Sequence, residues 1–175
     1  MISVTKEFKM EAAHKLLNSY TEKCRNIHGH SYRIKVTLFT SEKIFNLNDE
    51  GVVADFTKIK DLFQKVVDMF DHSLILHEKD PIIPGIFKCL DLCERLQVYT
   101  MNKNPTAENL AAFFAQSLSE IMKREGNCLN GVRIKSVTVY ETKTSRAVVK
   151  GGGKRLEKIK LKKLFPRSNM QKVSL

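Results

Sequence analysis

His28-Gly29-His30-Ser31-Tyr32-Arg33-Ile34-Lys35-Val36-Thr37-Leu38 is the stretch that decides the architecture. Tyr32, Ile34, Val36 and Leu38 alternate with Arg33, Lys35 and Thr37, the period of two that marks a strand with one face buried. Ile2, Val4, Phe8 and Met10 fall on even positions in the same way, so the two segments read as an antiparallel pair. Side chains two apart on a strand project from one face, so His28 and His30 point the same way, with little bulk from Gly29 between them. The end of the first strand near His14 then lies across from the start of the second, and a third imidazole meets the other two.

Three neutral imidazoles with one position left open are the ligand set of a catalytic zinc, which keeps room for water or substrate. The plain alternative for a His-x-His pair is satisfied polar residues on a sheet surface. Cys24 lies four residues before His28, in a loop entering the strand. Its thiol could close the site as a fourth ligand or act as a base beside an open one, and spacing does not separate these roles.

Outward from this hairpin the period changes. Ile59, Leu62, Phe63, Val66, Val67 and Phe70 follow the spacing of one helix face over residues 57–70, with Asp55 or Thr57 available as the cap. A second helix follows Asn104-Pro105-Thr106, lined by Leu110, Ala111, Phe114, Leu118, Ile121 and Met122 until Gly126 stops it. Residues 132–141 and 145–150 are rich in Val and Ile and read as two more strands, turning at Lys143-Thr144. Residues 71–104 are the least regular part, with a short helix around Ile86 to Leu96. The order implies an α+β fold: a four-stranded antiparallel sheet with two helices packed on one face.

Length allows one domain plus a tail, and 42% hydrophobic against 28% charged residues excludes disorder throughout. No apolar run is long enough to span a bilayer and the N-terminus lacks a signal-peptide core, so a cytoplasmic protein is expected, with no membrane partner. The net charge of +11 is unevenly spread: residues 151–175 hold eight Lys or Arg against the single acid Glu157, which leaves +4 for residues 1–150. The sequence thus divides into a mildly basic domain at 1–150 and a basic C-terminal tail at 151–175, with Gly151-Gly152-Gly153 as a flexible break. Leu156, Ile159, Leu161 and Leu164 fit neither period cleanly, leaving an added strand, a surface helix or a disordered arm open. Cys89, Cys93 and Cys128 form no disulfide framework and read as buried thiols.

Six short pieces together resemble the 6-pyruvoyltetrahydropterin synthase and 6-carboxytetrahydropterin synthase family, proteins of the tunnelling fold. They are Phe8-x-x-x-Ala12-Ala13-His14-x-Leu16, Cys24-x-x-x-His28-Gly29-His30, Val53-x-Asp55-Phe56, Asp71-His72, Asn104-Pro105-Thr106-Ala107-Glu108-Asn109-Leu110 and Glu141-Thr142, in the family's order across residues 8–147. The resemblance implies that His14, His28 and His30 hold Zn2+, with Cys24 the catalytic base working with Asp71 and His72. It places Thr106 and Glu108 near a pterin pocket. It also implies trimers stacking into hexamers, their sheets closing into a barrel.

Each implied role has a structural alternative. Asp71-His72 suits a helix C-terminus, where an imidazole meets exposed carbonyls. Thr106 and Glu108 are ordinary helix-start residues. Glu141 continues the alternation of Val137 and Val139 on an otherwise apolar face, where a carboxylate needs donors such as a pterin's ring NH and amino group. Its alternative is a strand-end acid turned to solvent. Glu22, two residues before Cys24, competes for the role of base because one family branch uses glutamate. The Cys-x-x-x-His-Gly-His spacing resembles the carboxytetrahydropterin branch.

The expected activity is a zinc-dependent lyase acting on 7,8-dihydroneopterin triphosphate, giving 6-carboxy-5,6,7,8-tetrahydropterin, acetaldehyde and triphosphate, a step toward 7-deazaguanine nucleosides. The alternative product is 6-pyruvoyltetrahydropterin, formed by eliminating triphosphate from the same substrate. A rival of another class is a nucleic-acid-binding protein with structural zinc and a phosphate-neutralising arm. The mild charge of residues 1–150 suits a phosphorylated small substrate as well as it suits a polymer, and the lyase is the leading reading, with a nucleic-acid partner not expected.

Overall fold

The two alternating apolar rows form a single long antiparallel ladder, β1 (Ile2–His14) against β2 (His28–Thr40), in which His14 is the Cα partner of His28 and Ala12 that of His30. The computed structural model describes residues 2–19, 21–40, 52–92, 96–124, 131–151 and 157–165. The even-numbered side chains Phe8, Met10, Tyr32, Ile34, Val36 and Leu38 are buried on one face, as the period requires.

Two amphipathic helices cover that face. In α1 (Phe56–Asp68) Asp55 is the cap, its side chain accepting the Thr57 N–H at 2.7 Å, and Ile59, Phe63, Val66 and Val67 point inward. Helix α1 lies on β1 and against α3 (Ala107–Arg124), which lies on β5 (Val132–Tyr140) and β6 (Arg146–Lys150). Phe70 ties the layers together, its ring within 5.2–5.6 Å of Tyr99, Phe113 and Phe114. Gly126 lies outside the described residues.

The sheet is larger than expected and mixed. Instead of four antiparallel strands and two helices, the described residues form seven strands in the order β6-β5-β2-β1-β3-β4-β7, with three α-helices. The irregular segment contains β3 (Ser73–His77), α2 (Ile83–Leu92) and β4 (Val98–Met101), and β3 runs parallel to both β1 and β4. Parallel strands covered on both faces read as short apolar runs without alternation, so periodicity could not find them. Ile75 and Met101 join the main core, whereas Leu74, Leu76 and Val98 pack with Leu90 of α2 in a second one. Helix α2 therefore sits on the opposite face of the sheet from α1 and α3.

Part of the basic tail belongs to this sheet. Of the three forms left open for it, a strand is found: β7 (Leu161–Lys163) pairs antiparallel with β4. Cys89, expected to be buried, is exposed on α2, whose inner face is filled by Leu90; Cys93 and Cys128 lie outside the described residues. Among the described residues no helix is long and apolar enough to cross a membrane.

Gly151 is more than a flexible break. Its N–H donates to Lys135 O at 2.7 Å, and a Cβ there would stand 1.8 Å from the carbonyl oxygen of Ile134. Gly152 and Gly153 lie outside the described residues. Gly151→Ala is expected to force the β5–β6 end apart and cost about 1–3 kcal/mol, read as a lowered midpoint in urea unfolding.

Candidate metal centre and active site

The three imidazoles meet at the end of the β1–β2 ladder, on the face covered by α1 and α3. His14 is 1% exposed and His28 and His30 are half-buried. One ring nitrogen from each lies within 4.8 Å of the other two. Zinc–nitrogen bonds of about 2.0–2.1 Å in a tetrahedral array hold nitrogens about 3.3 Å apart, a spacing within reach of these rings.

Backbone carbonyls set the tautomers. His14 Nδ1 lies 2.7 Å from Pro105 O and His28 Nδ1 2.8 Å from Asn26 O, so in each ring Nδ1–H donates and Nε2 carries a lone pair. Those two Nε2 atoms are 2.9 Å apart, two acceptors with no hydrogen between them. Glu141 Oε1 adds a third acceptor, 3.8 Å from His14 Nε2 and 3.9 Å from His30 Nε2. Protonation does not relieve this clustering easily. Burial, outweighing the Pro105 carbonyl and reinforced by His28 and His30, lowers the His14 pKa from 6.5 to about 4, and burial lowers that of His30 as well. Converging lone pairs on neutral rings held by outer hydrogen bonds fit a soft-to-borderline divalent cation such as zinc.

Glu141 reaches this cluster because it continues the inward row of Val137 and Val139, one step beyond the last paired residue of β5. Its side chain, 28% exposed, is turned toward the imidazoles. Tyr32 was read from the sequence only as a core residue. Its hydroxyl is 3.2 Å from His14 Nδ1, and burial followed by the charge of Glu141 pushes its pKa well up. The available signal was its place two residues after His30 in the same inward row. Pro105 and Asn26 act through carbonyls, which leave no mark in a sequence.

Asp71 and His72 follow α1 and dock on the edge of β1. The Asp71 carboxylate accepts the Glu11 N–H at 2.8 Å and His72 Nδ1–H at 2.9 Å, and the His72 N–H donates to Glu11 O at 2.6 Å. The Glu11 N–H, followed by His72, lowers the Asp71 pKa against its slight desolvation. His72 has φ of 56°, a left-handed conformation uncommon outside glycine, and its side chain is 79% exposed. Thus Asp71, rather than helix carbonyls, orients the ring. His72 and His30 line one open groove of about 490 Å³ with Glu11, Gly29, Ser31 and Gln97.

Cys24 enters the site from the loop before β2. It lies in a 3-10 turn, Lys23–Arg25, half-buried, with its carbonyl accepting the Leu16 N–H at 2.9 Å. Among the described residues no hydrogen bond joins its thiol to Asp71 or His72 within one chain. Glu22, the competing base, is exposed at the start of the turn. Thr106 accepts the Asn109 N–H at 3.4 Å as a helix cap, and Glu108 is exposed in the first turn of α3.

The His14 pKa makes stability depend on pH. The folded protein holds this ring neutral down to about pH 4, whereas the unfolded chain protonates it near 6.5, so the unfolded state binds the extra proton between those values. His14, facing His28, His30, Glu141 and Tyr32, therefore favours the fold above pH 6.5, and that contribution is lost as pH falls toward 4. In urea titrations with a chelator present, this one residue should remove on the order of 3 kcal/mol across the window, a loss absent from His14→Gln.

Residues 3–152 match the family model described as 6-pyruvoyl tetrahydropterin synthase. The 6-carboxy-5,6,7,8-tetrahydropterin synthase of Aquifex aeolicus is 29% identical over 161 residues, covering 84% of this chain and 96% of that protein. That of Rickettsia conorii is 33% identical over 144 residues, covering 81% and 95%. The fold is shared with an uncharacterised protein of Wolinella succinogenes (TM-score 0.69, 23% identity, 86% and 98% covered). It is also shared with the 6-pyruvoyl tetrahydropterin synthase of Caenorhabditis elegans (TM-score 0.56, 24% identity, 86% and 96% covered). A family model matched from residue 3 to 152, and a relative one-third identical across four-fifths of the sequence, establish that the chain belongs to the 6-pyruvoyl tetrahydropterin synthase family.

Proposed function

We propose that this protein is a zinc-dependent lyase converting 7,8-dihydroneopterin triphosphate to 6-carboxy-5,6,7,8-tetrahydropterin, with release of acetaldehyde and triphosphate, on the route to 7-deazaguanine nucleosides. One observation carries the reading: the inward-facing lone pairs of His14 and His28, with His30 and Glu141 beside them and no hydrogen to separate the rings. The names of the curated relatives that match most of the chain support the carboxy product over the pyruvoyl one.

His14, His28 and His30 hold the zinc, their Nδ1–H groups or neighbours fixing the ring planes. The bound ion supplies Lewis acidity toward the hydroxyls of the substrate side chain and the adjacent C–H. Cys24 takes the proton from the activated carbon as a thiolate, positioned by the bond that ties its turn to Leu16. His72 gives or takes a proton at Nε2, while Asp71 holds Nδ1–H and fixes the tautomer. Glu141 accepts the pterin ring NH and amino group in bidentate fashion, with Thr106 and Glu108 as further pterin-binding residues.

Among the described residues no hydrogen bond links Cys24 to Asp71 or His72 within one chain, which leaves room for neighbouring copies to complete the site. β1 pairs with β3 only from Ala12 to His14, so its edge from Ile2 to Lys9 has no partner among the described residues, and neither does the outer edge of β6. Joining the β1 edge of one copy to the β6 edge of the next closes the sheets into a ring and removes both edges. Light scattering on the eluting protein should return three or six times the chain mass. A monomer would rule this assembly out.

Purified protein given 7,8-dihydroneopterin triphosphate should yield the carboxy product and acetaldehyde by mass spectrometry. Cys24→Ala should lose turnover at least a hundredfold while one zinc per chain stays bound, and Glu22→Gln should fall by less than threefold. Detection of the pyruvoyl product alone, or an active cysteine variant, would overturn the assignment.

A further inference from the structure

Two side-chain amides grip the chain beyond Gly151. Gln116, on α3, donates from Nε2 to Glu157 O at 2.7 Å and accepts the Ile159 N–H at Oε1 at 3.0 Å. Asn102, just after β4, donates from Nδ2 to Lys158 O at 3.3 Å and accepts the Lys160 N–H at Oδ1 at 2.8 Å. Four consecutive residues are thus held by two amides, each bonding both a donor and an acceptor of the extended backbone. Apolar anchors lie within and just beyond this run: Ile159 is buried in the main core and Leu164 in the second. This segment lies outside the span matched by the family model.

Two residues after Asn102, Asn104 makes the same kind of grip in the other direction. Its Oδ1 accepts the Leu17 N–H at 2.8 Å and its Nδ2 donates to Leu17 O at 2.8 Å. Its own carbonyl accepts the Thr106 N–H at 2.8 Å and Asn109 Nδ2 at 2.9 Å. Pro105, which follows at once, presents the carbonyl that takes the His14 Nδ1 proton.

We infer that the C-terminal segment Glu157–Phe165 is a strap for the metal centre: Gln116 holds the strap to α3, Asn102 holds it to the 102–105 loop, and Asn104 docks that loop on Leu17, three residues past the end of β1, so that Pro105 O fixes His14. Asn102, Asn104 and Gln116 are positioning residues, since they act on the metal only through the Pro105–His14 bond. The inference rests on the reading that His14, His28 and His30 hold zinc.

Zinc affinity, measured by competition with a chromophoric chelator, tests it together with the visible spectrum of the cobalt(II)-substituted protein. The full chain should bind one zinc. Asn104→Ala and the double variant Asn102→Ala/Gln116→Ala should each still bind one, about ten- to a hundredfold more weakly, with altered cobalt bands. Phe63→Leu, which weakens the main core away from the loop, should melt lower yet keep full affinity and an unchanged spectrum. Should Asn104→Ala fail to fold, the double variant decides, because it leaves β7, Ile159 and Leu164 in place. Variants that melt lower but bind zinc as Phe63→Leu does would overturn the strap alone. A full chain that takes up no zinc would overturn the strap and the proposed function together.

Discussion

Two ring nitrogens that face each other at 2.9 Å, both bearing lone pairs, are the constraint around which this molecule is organised. Such an arrangement is costly unless a cation lies between, and it persists only because each ring is held from behind by a peptide carbonyl. Those carbonyls belong to different parts of the chain. Asn26 lies in the loop entering β2, and Pro105 lies two residues before α3, ninety-one residues after His14. The centre is therefore a junction of long-range elements as well as a hairpin feature, and each must be in place before the rings can be.

The packing around the junction serves that end. The Phe70 cluster fixes α3 against the sheet, and α3 begins two residues after the carbonyl that orients His14. On the other side, Lys15 pairs with the fully buried Asp80 at 2.6 Å, whose second oxygen accepts the Ile82 N–H. Removing either partner would strand a charge, a large penalty compared with the small worth of an exposed pair. This bond locks the residue beside His14 to the turn before α2, so the strand end carrying His14 is tied down from both faces of the sheet.

What the sequence made legible was whatever a period can encode. Alternation placed the β1–β2 ladder, the convergence of His14 with His28 and His30, and the inward turn of Glu141; helical spacing placed α1 and α3. It could not place β3 and β4, because Leu74, Ile75 and Leu76 are all buried and no residue among them faces water to mark the period. Nor could it find the supports of the site, since Pro105 and Asn26 contribute backbone atoms and Asn104 looks like any residue before a proline. That no hydrogen bond links Cys24 to Asp71 or His72 among the described residues was equally hidden, because motifs order residues along a chain without fixing their distances.

The pairing of His14 with His28 as Cα partners has a consequence for how this gene product can vary. A strand inverts its side chains with every added residue, so a single insertion between Met10 and His14, or between His30 and Ile34, would place an imidazole on one side of the sheet and its apolar row on the other. The loop from Lys15 to Ile27 is under no such parity rule. Length change between Leu17 and Cys24 alters the span between held residues and not the side of the sheet that any of them faces, at a closure cost that grows as a slow logarithm. Divergence among related chains should accordingly accumulate in the bend, while the spacing inside each arm stays frozen to the residue.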